Sequence, residues 1–197
     1  FSSGLSNTNE SAVAAANQVN ETSKNKVYVV DSLCACSGHG LFAMYVRKFA
    51  KQCDDINKII TYAENIKLKM SHLFTVDSLK YLANGGRVKA GTAIVGNMLN
   101  IKPLLRVDNS GHLENTGKVF GRKKSLITLC EKVCKEYDPQ YDICIVSHAD
   151  SLNDANMVAD YISNDSNLNV IIENLGPVIG CHAGPGTIAI FYIASKR

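Results

Sequence analysis

Residues 143–172 read ICIVSHADSLNDANMVADYISNDSNLNVII, and the fold class follows from their order. Ile143 to Ser147 is a short, β-branched apolar run of the kind that fills a buried strand. From Asn153 to Ile162 the apolar residues return at helical spacing, which predicts an amphipathic helix. Val170-Ile171-Ile172 is a second buried strand. Strand–helix alternation of this kind builds layers in which helices pack on a sheet.

The same reading extends in both directions. Thr187 to Ala194 is the last strand, and Leu126, Leu129, Cys130, Val133 and Tyr137 mark one face of a further helix. Ile101 to Val107 and His112 to Phe120 form a hairpin across Asp108-Asn109-Ser110-Gly111, which makes the sheet mixed. His72 to Val76 is a strand, followed by a short helix capped by Asp77 or Ser78 and stopped by Asn84-Gly85-Gly86. A small-residue helix is expected from about Gly91 to Asn100. In the first third, Ser6 to Val19 is helical, Val27 to Val30 reads as a buried strand, and Gly40 to Ala50 as a largely buried helix. Ile56, Ile59, Ile60, Ala63 and Ile66 share one face of a clearer amphipathic helix after Asp54 and Asp55. Lys67 to Ser71 reads as a linker, dividing the chain into an N-terminal part, 1–69, and a mixed-sheet part, 70–197.

Composition narrows the function classes. Of 197 residues, 46% are hydrophobic and 20% charged, the balance of a globular protein rather than a disordered or collagen-like one. A net charge of +3 gives no lopsided field for nucleic acid. Arg122-Lys123-Lys124 is too short for that role, lacks interleaved aromatics, and reads as a solvated face. No apolar run approaches the ~18 residues of a membrane span, which leaves room only for transient membrane contact. Seven cysteines is an odd count, expected to be reduced thiols acting as small core residues in a cytoplasmic protein. Cys34-Ala35-Cys36-Ser37-Gly38-His39 has neither the spacing nor the fourth ligand of a zinc site, so no metal is expected. The opening Phe1-Ser2-Ser3-Gly4 lacks an initiating Met and any signal-like pattern, an expectation of numbering that begins inside a longer protein.

Three segments carry more Gly, Ser and His than packing requires. Ser2-Ser3-Gly4-Leu5-Ser6-Asn7-Thr8 is a hydroxyl-rich loop running into a helix, whose N-terminus suits a carboxylate or phosphate, although a plain cap by Ser6 or Thr8 explains it too. Asn84-Gly85-Gly86-Arg87-Val88 lets backbone approach a neighbour closely and places Arg87 at once after the turn. Gly180-Cys181-His182-Ala183-Gly184-Pro185-Gly186 reads as a loop that presents an imidazole.

Taken in order, these segments resemble the DegV family of bacterial fatty-acid-binding proteins over essentially the whole chain. Val29-Val30-Asp31-Ser32, the run Leu79 to Val88, Gly96-Asn97-Met98-Leu99-Asn100-Ile101-Lys102-Pro103, Ser147-His148-Ala149-Asp150 and Gly176-Pro177-Val178-Ile179-Gly180 support it. The resemblance implies a two-domain α/β fold, with an N-terminal lobe on an incomplete parallel sheet and a C-terminal mixed-sheet domain. It implies one long-chain fatty acid as ligand, no cofactor, and a fatty acid kinase subunit as partner, with no catalysis by the carrier itself. The carboxylate is then met by Ser2 or Ser3 and by His182, with Arg87 at the mouth or partner surface. Leu5, Ile94, Val95, Met98 and Leu99 are the expected acyl lining. The sequence departs from the family at Asn7 (usually Gly) and Asn9 (usually aromatic), and an earlier Thr-Ser segment of the family has no counterpart in it. The rival reading is an enzyme, a small hydrolase or phosphotransferase built on His182 with Cys181 or Ser3.

Overall fold

The structure, a computed structural model, describes residues 1–88 and 100–195. Its elements in chain order are α1 (Thr8–Thr22), α2 (Cys36–Ala50), α3 (Ile56–Lys67), β1 (Met70–Thr75), α4 (Lys80–Asn84), β2 (Ile101–Val107), β3 (Leu113–Phe120), α5 (Arg122–Glu136), β4 (Ile143–His148), α6 (Leu152–Asp165), β5 (Asn169–Asn174), α7 (Pro177–Ala183) and β6 (Ile188–Ile193). The strands form one six-stranded mixed sheet in the order β3-β2-β1-β6-β4-β5. Only β4 and β5, joined through α6, run parallel; the other four pairings are antiparallel. The expected helix from Gly91 to Asn100 lies almost wholly outside the described residues.

Strand alternation sorts the core into two clusters. In β6, Ile188, Ile190 and Tyr192 join Val146 of β4 and Leu73 of β1 under α5 and α6. Ala189, Phe191 and Ile193 alternate with them and meet Ile145, Met70, Phe74 and the buried faces of α2 and α3 on the other side. Helix α3 begins where Asp55 accepts hydrogen bonds from the Asn57 (2.9 Å) and Lys58 (3.4 Å) N–H groups, as an N-cap does.

Two local expectations are corrected. Val27 to Val30 is not a buried strand: Val27 and Tyr28 are exposed, and no described strand pairs with the segment. A β-branched run expresses a preference for extended backbone, while a strand needs a hydrogen-bonding neighbour. Instead the Asn20 amide brackets Val27, donating to its carbonyl and accepting from its N–H. Lys67 to Ser71 is not a linker either. Lys67 closes α3, and Met70 and Ser71 are buried in β1 opposite Ile193 and Tyr192.

Candidate functional site

On the face of the sheet opposite α5 and α6, packing is incomplete. A cavity of about 520 Å³ opens there, walled by Phe74, Ala189 and Phe191 of the sheet, Cys36 and His39 of α2, Val178, Ile179 and His182 of α7, and Leu5 of the first loop. The wall is mainly carbon, with a few polar groups, as in sites for apolar ligands. Small and polar side chains on this face leave the space: Ala189, Thr187 and His72 stand where larger apolar groups would close it. A more polar depression, lined by Ser3, Ser6, Asn7, Arg87 and His112, adjoins it, and the two share Leu5, Ser6, Arg87 and Leu113. The cavity therefore has an apolar body and a polar mouth.

The first loop is tied down over the mouth by contacts from distant parts of the chain. Ser2 is buried; its N–H donates to the Cys34 carbonyl (2.8 Å) and its hydroxyl to the Gly111 carbonyl (2.7 Å). Gly111, at the β2–β3 turn with φ +80°, leaves no space for a Cβ beside Ser2 Oγ. The Ser3 N–H donates to Asp31 (3.2 Å), which also accepts from Leu33 N–H (3.0 Å). Burial alone would raise the Asp31 carboxyl; these hydrogen bonds and those from the Ser3 side chain outweigh it and hold it below its usual value. Arg87 donates to the carbonyls of Gly85 and Leu5, the latter at 3.2 Å, clasping the loop to the α4 turn.

Three imidazoles line the cavity, in three different states. His72 is buried on β1: its Nε2 accepts the Ala35 N–H (3.3 Å) and its Nδ1 lies 3.2 Å from the Met70 carbonyl, which fixes the proton on Nδ1 and engages both nitrogens. His39, in the first turn of α2, is half-buried with Nδ1 3.0 Å from Ser32 Oγ; burial holds it below the ordinary imidazole range. Among the described residues the His182 ring has no hydrogen-bond partner, and it packs on Gly85, where a Cβ would collide with Nδ1. The expected loop around His182 is in fact helical. Pro177 opens α7 at a position that needs no N–H, and Gly184, with φ +81°, ends it one residue after Ala183.

Of the residues expected from sequence, Leu5, Arg87 and His182 line the cavity, and Ser3 lines its polar mouth. Ser2 lies behind the loop with its hydroxyl proton given to Gly111. Ile94, Val95, Met98 and Leu99 fall outside the described residues. Cys181 is exposed, and no hydrogen bond joins His182 to Cys181 or Ser3. Burial raises the Cys36 thiol, which disfavours a thiolate nucleophile in the cavity. Sequence reading missed His39 and Thr187 as lining residues; His39 had been weighed only as a metal ligand. Among the described residues no cluster of His, Cys, Asp and Glu could hold a metal, and no helix is long and apolar enough to cross a membrane.

Comparison with known proteins places this geometry. The model of the DegV family, described as uncharacterised proteins, matches residues 1–195. A DegV domain-containing protein of Clostridium perfringens is 36% identical over 200 residues, spanning 100% of this chain and 69% of the relative. Among solved structures, a DegV lipid-binding protein from Thermotoga maritima is similar with a TM-score of 0.84 at 28% identity, covering 100% of this chain and 68% of that one. A further Thermotoga maritima protein, whose structure reveals fatty acid binding function, has a TM-score of 0.82 at 28% identity, covering 98% and 67%.

Proposed function

The chain belongs to the DegV family, and on that premise we propose that it is a non-catalytic carrier of one long-chain fatty acid, held tail-first in the cavity. The observation that carries this reading is the cavity's division into an apolar body and a polar mouth. Each methylene transferred from water gains roughly 0.8 kcal/mol, so ~14 of them supply on the order of 11 kcal/mol before ordering costs. The carboxylate cannot follow the tail without partners, since an unpaired buried charge is expensive. Ser3, Ser6 and Arg87 at the mouth, and His182, whose ring nitrogens bond to none of the described residues, are the groups able to meet it. Ser2 contributes its hydroxyl only by giving up its bond to Gly111. Leu5, Phe74, Ala189 and Phe191 supply apolar wall, and the role proposed for Ile94, Val95, Met98 and Leu99 is the same.

In this reading the exposed carboxylate is presented to a cytoplasmic fatty acid kinase subunit, with Arg87 beside it at the mouth. The test is native mass spectrometry of the purified protein, followed by denaturation and organic extraction. One fatty acid per chain is expected, with retention reduced at least about tenfold in His182→Ala, the loss of roughly one charge-assisted hydrogen bond. Absence of lipid, together with failure to take up any added long-chain fatty acid, overturns the carrier reading. Hydrolysis of an activated ester without a partner, abolished by thiol alkylation, would replace it with the enzyme.

A further inference from the structure

We propose that His39 is a specificity-determining residue: a second hydrogen-bond donor, set in the wall of the cavity apart from the polar mouth, that selects acyl chains bearing an oxygen substituent. The inference rests on the fatty acid reading and goes beyond it, because a plain hydrocarbon tail has no use for such a group.

The proton on His39 can be placed from its neighbour. Ser32 is fully buried, and its Oγ accepts the Cys34 N–H at 3.3 Å while lying 3.0 Å from His39 Nδ1. Were Nδ1 the donor, the Ser32 hydroxyl proton would be left in a buried site with no acceptor, which is costly. Ser32 therefore donates to Nδ1, and the neutral ring carries its proton on Nε2. Burial disfavours the imidazolium and keeps the ring in this form at neutral pH. The Nε2–H has no hydrogen-bond partner among the described residues. In this proposal the Nε2 edge of the ring is turned toward the cavity: His39 lines it, and Ser32, which holds Nδ1, does not.

The ring is also held in place. It stacks on Phe42 with centroids 6.5 Å apart and meets the Phe1 ring edge-on at 6.3 Å. Two lining imidazoles can be set against it. His72 spends both nitrogens on backbone groups, and His182 sits on α7 by the Gly85 turn. His39 alone is a fixed, neutral, single donor on the α2 side. A methylene laid against Nε2–H removes its water and returns nothing, whereas a keto oxygen on the chain accepts the bond and brings no unpaired proton of its own. The expected preference is about tenfold, the ratio that one net hydrogen bond supplies.

The experiment measures dissociation constants of the purified protein for stearic acid and for oxostearic acids with the keto group at successive carbons. One narrow range of positions should bind about tenfold tighter than stearic acid, and in His39→Leu the oxostearic acids should lose that advantage over stearic acid measured on the same variant. Because His39→Leu leaves the Ser32 hydroxyl without an acceptor, the Ser32→Ala/His39→Leu pair repeats the test in a background that removes both partners. No advantage at any position in the wild-type protein, or an advantage that survives loss of His39, overturns the proposal. If stearic acid and every oxostearic acid fail to bind the wild-type protein, the carrier reading itself falls and takes the proposal with it.

Discussion

The two faces of the sheet are made from alternate residues of the same strands, yet one is filled and the other is not. Beneath α5 and α6, Ile188, Ile190 and Tyr192 of β6 interlock with Cys144, Val146, Val133 and Ile162, all at or near zero exposure. On the opposite face the same strand offers Ala189 and Phe191, β1 offers His72, and the space between them and α7 stays open. The core beneath α5 and α6 closes around these side chains, whereas the apolar wall on the other face does not close on itself. The difference teaches that stability and binding are divided by side-chain parity: a one-residue step along β6 moves from packing energy to ligand wall.

The strongest way to break that comparison is to reverse the two faces at adjacent positions. Ile190→Ala should cost about 2–5 kcal/mol, the usual range for a buried Ile truncated in a close-packed core. Ala189→Phe, one residue away, grows into the cavity; its unfolding free energy should move less than that of Ile190→Ala, while fatty acid retention falls at least about tenfold. Urea titrations and lipid extraction on both variants decide it. Equal destabilisation with unchanged lipid content would mean the faces do not divide the labour.

An intermediate effect is expected where the loop over the cavity is fastened. Ser2→Ala leaves the Gly111 carbonyl without its 2.7 Å donor, and an orphaned buried acceptor costs about 1–3 kcal/mol. Hydrogen exchange should show faster opening of residues 2–6 in that variant, with β4 and β6 protected as before. Uniform loss of protection across the sheet would place the loop inside the main cooperative unit instead.

The smallest effect concerns Asp31, which sharpens the contrast between rim and core. Its carboxyl lies below the usual value of about 3.9 when folded, so its contribution is fully present above that value. It is lost as pH falls through the lower folded value. The gap between urea midpoints of the wild type and Asp31→Asn should be constant from pH 7 to about pH 5 and close below about pH 3.9. A gap that persists unchanged to pH 2 would show that Asp31 does not act through its charge.

Much of this was legible in the residues, for identifiable reasons. Apolar periodicity marked β4, α6 and β5, because alternation between buried strands and one-sided helices leaves a local signature. The order of Ser-Ser-Gly-Leu-Ser, Gly-Gly-Arg and the His182 segment pointed to one site, and Leu5, Arg87 and His182 do line one cavity. Val27 to Val30 misled because β propensity is local whereas strand pairing is not. His39 was passed over for a related reason. Its neighbours in sequence are cysteines, which raised only the question of metal, while the partners that define its chemistry are Ser32, Phe42 and an empty volume.

The chain by itself determined most of the elements, their order and the β2–β3 hairpin that makes the sheet mixed, since each depends on contacts a few residues apart. Tertiary structure alone decided which face closes, that Ser2 reaches Gly111 across 109 positions, and which nitrogen of His39 and of His72 carries a proton. Those outcomes depend on volume and on hydrogen-bond partners supplied from elsewhere in the chain, and no local pattern encodes either.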